Sequence, residues 1–133
     1  MIELSQLSKR YGHTLAVDRL DLSIPPGEIF GFIGPNGAGK TTTIRMMGGI
    51  LAPTAGSVRI AGVSMAEDPV RAKGAIGFIP DRPYLYEKLT GMEFLRFSAD
   101  LYGAAGTGFR QRASALLEQF SLAAWGDELV EAY

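Results

Sequence analysis

The stretch Gly34-Pro35-Asn36-Gly37-Ala38-Gly39-Lys40-Thr41 satisfies the spacing G-x-x-x-x-G-K-[ST], and each residue type in it has a use toward a polyphosphate. Glycines leave backbone N–H groups bare and permit positive φ, so such a loop can wrap a phosphate at the positive end of a helix. Lys40 offers a mobile positive charge to β- and γ-phosphates, and the Thr41 hydroxyl offers an oxygen ligand to Mg²⁺. The bland alternative is a glycine-rich turn beside a surface lysine. The flanking sequence argues against it.

A phosphate loop needs a strand to feed it and a helix to leave it. Ile29-Phe30-Gly31-Phe32-Ile33 is a short apolar run of the kind that forms a parallel strand buried on both faces. On the other side Ile44, Met47 and Leu51 recur at helical spacing, widened by Met46 and Ile50, until Pro53 stops the pattern. Ala75-Ile76-Gly77-Phe78-Ile79 reads as a second buried strand, closed by Pro80-Asp81-Arg82-Pro83. Met1 to Leu7, Leu20 to Ile24 and the stretch around Val58 and Ile60 alternate instead, which predicts three antiparallel strands in a small β-layer beside that core. Between the first two lies Tyr11-Gly12-His13, where the Tyr11 ring is placed to stack on a purine; by residue type alone a half-buried structural tyrosine is the commoner outcome. The lone His13 in a polar turn reads as solvated.

Downstream, Asp68-Pro69 opens a short helix that Gly74 closes, with the carboxylate as N-cap and proline in the first turn. Thr90 and Glu93 have the spacing of a capping box, followed by Phe94, Phe97, Leu101 and Tyr102 up to Gly103. After three glycines, Phe109, Ala113, Leu116, Leu117 and Phe120 define another apolar stripe, and the two helices are expected to pack as a pair. The final segment, with Trp125, Leu129 and Val130, carries no turn or capping signal. Neither internal repeats nor low-complexity tracts occur.

With 133 residues, 47% hydrophobic and 20% charged, the chain has the composition of one globular domain. Thirteen basic against fourteen acidic residues, a net charge of -1, provide no electrostatic footprint for nucleic acid. There is no cysteine for a disulfide or thiolate metal site, and one histidine cannot build a site alone. No apolar run reaches the roughly 18 residues of a membrane span, and the N-terminus has no signal-peptide pattern, so the chain is expected to be soluble in itself.

From Met1 to Tyr133 the sequence resembles the ATP-binding subunit of ABC transporters. Leu7-Ser8-Lys9-Arg10-Tyr11-Gly12 resembles the family's A-loop, whose aromatic stacks on adenine, and this reverses the reading of Tyr11. Pro25-Pro26-Gly27-Glu28-Ile29 and the segment from Gly34 to Thr42 resemble its Walker A region; Pro53-Thr54-Ala55-Gly56-Ser57-Val58 and Ile76-Gly77-Phe78-Ile79-Pro80 match its next recurring elements. The resemblance implies an α/β fold: a P-loop NTPase core with a parallel sheet plus a small antiparallel β-layer. That divides the chain into a β-layer and Walker A core over about 1–80 and a Q-loop-like, helical part over about 81–133. It also implies that ATP is held by Tyr11, Val17, Gly34, Pro35, Asn36, Gly37, Ala38, Gly39, Lys40, Thr41 and Thr42, and Mg²⁺ by Thr41 and Asp81. Asp81 stands where the family usually has the Q-loop glutamine, a departure that keeps an oxygen ligand but is shorter and adds negative charge.

The implied partners are a transmembrane permease, contacted through the stretch from Asp81 to Tyr102, and a second ATP-binding subunit. The implied location is the cytoplasmic face of the cell membrane. The signature loop, the acidic Walker B strand with its catalytic glutamate and the switch histidine are not present before Tyr133. The sequence therefore reads as an N-terminal portion, truncated before the signature loop, that grips nucleotide and is inactive alone. A non-enzymatic nucleotide-binding module and a soluble ABC-type ATPase of translation or DNA repair are the alternatives; the near-neutral charge disfavours the second. A kinase or GTPase fits less well, since other P-loop enzymes lack the β-layer and the Tyr11 arrangement.

Overall fold

Alternating side chains at the N-terminus form β1 (Ile2–Tyr11), which pairs on one side with β2 (Thr14–Ile24) and on the other with β3 (Ala55–Ile60). A two-residue β4 (Val63–Ser64) extends the sheet in the order β2-β1-β3-β4, every pair antiparallel. The three expected strands are thus present, but β1 and β2 run further toward their shared turn than strict alternation predicted. They do so through register shifts between Leu4 and Arg10. One face of the layer is covered by helix α1 (Lys40–Met47) and the short helix α2 (Pro69–Gly74).

The core gathers Leu4, Leu7, Val17, Met46, Val58, Ile60 and Ala72. Leu7 and Met46 are fully buried, worth about 1.5–3 kcal/mol each against exposure. Helix α1 differs from its expected span: it ends at Met47, because Gly48 and Gly49 turn the chain and the N–H groups of Ile50 and Leu51 fold back onto the Arg45 carbonyl. Gly49 takes φ +64, and a Cβ there would lie 2.6 Å from Lys73 Cε and 2.7 Å from Met65 Sδ. The buried face of α1 is accordingly Thr43 and Met46, and Ile44 faces outward. Helix α2 starts as expected, with Asp68 Oδ1 accepting the Arg71 N–H at 3.1 Å.

The structure, a computed structural model, describes residues 1–81 and 83–133, in two compact units, Met1–Phe78 and Ile79–Tyr133. The expectation that residues 29–33 and 75–79 are strands covered on both faces is not met within this chain. Among the described residues neither segment joins a ladder, and Ile29, Ile33 and Ile79 are exposed. The physical reason is that a parallel strand exists only through hydrogen bonds to a neighbouring strand, and each apolar run here lacks one.

In the second unit, α3 (Gly91–Leu101) begins with the expected reciprocal capping box: the Thr90 N–H donates to Glu93 Oε2 at 2.8 Å, and the Glu93 N–H to Thr90 Oγ1 at 3.2 Å. Helix α4 (Phe109–Gln119) buries Ala113 and Leu117, whereas Leu116 and Phe120 of its predicted stripe are exposed. The Arg96 guanidinium of α3 stands 5.4 Å from the centre of the Phe109 ring. The final segment is more ordered than its sequence suggested. Its backbone zips onto residues 87–92, with Met92 N–H donating to the Gly126 carbonyl at 2.8 Å and Val130 N–H to that of Leu89 at 2.9 Å.

Candidate nucleotide site

Gly39 is the junction between the loop and α1. It stands at the N-cap with φ 83, and a Cβ there would collide with the Ala16 carbonyl oxygen and lie 3.0 Å from Val17 Cγ2. Only glycine combines that backbone with that proximity. Gly37 has the same positive φ but faces open space, and a Cβ at Gly34 would make ordinary contacts with Ala38 and Lys40. The glycines expected to be equivalent therefore act differently: Gly39 docks the loop on β2, and Gly37 turns it.

Helix α1 has no side-chain cap and no acidic residue in its first turn, unlike α3 with its capping box. The first intrahelical bond runs from the Thr43 N–H to the Gly39 carbonyl at 2.8 Å. The N–H groups of Lys40, Thr41 and Thr42 thus lie at the positive helix end without helical acceptors. The Lys40 ammonium folds back over the loop, donating to the carbonyls of Gly34 at 2.5 Å and Pro35 at 2.6 Å. These bonds hold a cation against the stretch Gly34, Pro35, Asn36, Gly37 and Ala38, itself turned by the Ala38 N–H donating to the Pro35 carbonyl at 3.2 Å.

Tyr11 closes β1 opposite Thr14, its ring about half exposed, with the Lys9 ammonium 5.4 Å from the ring centre. Lys9 lies opposite Val17 in the ladder, so the tip of the hairpin that carries Tyr11 is the part of the sheet that touches Gly39. The sequence reading missed Lys9 and Ala16: the first acts by position on the strand, the second by its backbone, and neither leaves a residue-type signal. Thr41 is exposed in the first turn of α1, and Asp81 is an exposed bend residue of the second unit. Each by itself is an oxygen donor of the type that a hard cation such as Mg²⁺ takes.

A glycine-cornered loop opening into an uncapped helix beside an antiparallel layer defines the class: an α/β domain of the P-loop type. Residues 17–133 match the family model for ABC transporter, and the chain belongs to that family. It is 39% identical over 132 residues to the daunorubicin/doxorubicin resistance ATP-binding protein DrrA of Streptomyces peucetius, covering 99% of this chain and 40% of that one. A solved ATP-binding subunit of an ABC transporter superposes with a TM-score of 0.90 at 32% identity, over 100% of this chain and 55% of its own. The dimeric ATP-binding cassette MJ0796, bound to ADP and Pi in a post-hydrolysis state, superposes at 0.82 with 25% identity, over 100% of this chain and 63% of its own. The chain thus spans 40% to 63% of the length of these three proteins. Its fold is that of ABC ATPase domains.

Proposed function

We propose that the chain binds MgATP as part of the energy-coupling subunit of an ABC membrane transporter. In this reading the triphosphate lies on residues 34–42, where bare N–H groups, the helix dipole and Lys40 meet negative charge. Lys40 leaves the Gly34 and Pro35 carbonyls to do so, exchanging neutral acceptors for charged ones. Adenine stacks on Tyr11, and Val17 contacts the nucleotide beside Gly39. Thr41 and Asp81 would hold Mg²⁺, which when bound supplies charge neutralisation between the β- and γ-phosphates.

The observation that carries the reading is the approach of Ala16 and Val17 to Gly39, since it ties the start of α1 to the hairpin that ends in Tyr11. The relatives support the rest: one is named for its ATP-binding role in drug resistance, another is a dimer with ADP and Pi. The working partners are accordingly a permease, met through the stretch from Asp81 to Tyr102, and a second ATP-binding subunit on the cytoplasmic face of the membrane. No helix among the described residues is long and apolar enough to cross a membrane. The 133 residues by themselves bind nucleotide without turning it over, because phosphoryl transfer also needs a group that orients the attacking water. Calorimetric titration tests this: MgATP saturates a single site, EDTA weakens it, and phosphate release stays at background. Absence of saturable binding overturns the proposal.

A further inference from the structure

The ladders on both sides of β1 break at one residue. Between the pairs Leu4↔Leu22 and Leu7↔Leu20, β1 advances three positions while β2 advances two. Against β3 the same surplus falls between Ser5↔Ser57 and Ser8↔Ala55. The extra residue is Gln6, at φ 47, and a second bulge in β2 is centred on Arg19, at φ 43. Neither is glycine, so something outside the backbone must favour the conformation.

For Gln6 that partner is Asp21. The Gln6 N–H donates to Asp21 Oδ1 at 2.7 Å, and the Gln6 side-chain amide donates to Asp21 Oδ2. On the other side, the Gln6 backbone packs so closely on Gly56 that no Cβ fits there. The bulge changes which face each later side chain occupies, because a shift of one residue exchanges the two faces of a strand. Leu4 and Leu7 belong to the same core although three positions apart, whereas an unbroken strand would point them to opposite faces. Lys9 and Tyr11 then continue the face of Leu7. The Lys9 ammonium beside the Tyr11 ring and the pairing of Lys9 with Val17 agree with this, and Val17 supplies the side chain that, with the Ala16 carbonyl, approaches Gly39. In an unbulged β1, Tyr11 would lie on the opposite face from the phosphate loop.

We infer that the Gln6–Asp21 clasp is a positioning device for base recognition: it holds the bulge that presents Tyr11 on the phosphate-loop side of the sheet. The inference rests on Tyr11 being the adenine platform, as proposed above. Asp21 touches no nucleotide in this account and acts through Tyr11.

The test compares MgATP with magnesium tripolyphosphate, which has the phosphates but no base, on the chain and its variants. Tyr11→Ala is expected to weaken MgATP about tenfold or more and leave tripolyphosphate unchanged. Asp21→Ala is expected to do the same, and to add nothing in the Tyr11→Ala background. Asp21→Asn is expected to restore MgATP affinity, since its carbonyl accepts the Gln6 N–H and the Gln6 amide can turn over to accept from its NH₂. Should Asp21→Ala not fold, Asp21→Ser, which keeps one acceptor, carries the comparison with a smaller selective loss. The clasp is overturned if the Asp21 variant keeps the wild-type ratio of the two affinities while Tyr11→Ala loses it, or if it weakens both ligands equally. An unchanged ratio in Tyr11→Ala instead overturns the platform reading itself.

Discussion

The Ala16 carbonyl oxygen lies against Gly39 with no room for a side chain between them, so the first residue before α1 is fitted to the backbone of β2. If residues 34–42 seat the triphosphate as proposed, a loop docked in this way is pre-shaped for it, and its affinity depends on a packing contact that no phosphate touches.

Gly39→Ala is therefore expected to be costly twice: roughly 1–2 kcal/mol for a left-handed alanine and about 1–3 kcal/mol for the collision with Ala16 and Val17. Gly37→Ala, at the same φ but in open space, should cost only the first of these. Urea unfolding of the two variants, with MgATP titration alongside, checks the order. Equal destabilisation would mean that the approach of Ala16 is not a constraint.

Asp81→Asn separates charge from ligation. If Asp81 helps to hold Mg²⁺, the variant should need on the order of tenfold more Mg²⁺ to reach half-maximal ATP binding. Its affinity for Mg²⁺-free ATP should hold or rise, since one negative charge has been removed. A wild-type Mg²⁺ dependence would leave Asp81 as a turn residue only.

Gly91, the first residue of α3, has no space for a Cβ because the Tyr133 hydroxyl occupies it while donating to the Trp125 carbonyl at 2.6 Å. Because that hydroxyl is the far end of a half-exposed side chain, it can swing aside, and Gly91→Ala should destabilise the second unit by about 0.5–1.5 kcal/mol, the loss of the Tyr133 hydrogen bond. Tyr133→Ala should remove most of that penalty, a non-additive pair in a double-mutant cycle. Additive effects would show that the two residues do not meet.

What was legible in the sequence was the part in which residue type and local spacing decide the structure. Thr90 with Glu93 forms its capping box, and Asp68-Pro69 starts its helix, because a cap is settled within one turn. The turn that runs into a helix at Lys40 was legible for the same reason. The different burdens on Gly37 and Gly39 were not, since they depend on which strand passes behind each glycine. Leu4 and Leu7, spaced by three where alternation demands an even number, carried a signal for the bulge at Gln6. Without it, β1 was expected to end at Leu7 and the start of β2 was passed over. The runs at 29–33 and 75–79 show the opposite limit: apolar composition marks a candidate strand, but the ladder depends on a neighbour that composition cannot supply.

Lys40 tests the central claim most directly, because its ammonium rests on the loop's own carbonyls and can be removed with little loss of packing. In calorimetric titration with MgATP, Lys40→Ala should raise the Kd at least tenfold, the loss of a charge-assisted contact worth about 1.5–3 kcal/mol, while the urea midpoint stays near that of the parent chain. An unchanged Kd in a folded Lys40→Ala chain would contradict the assignment of residues 34–42 as the seat of the triphosphate.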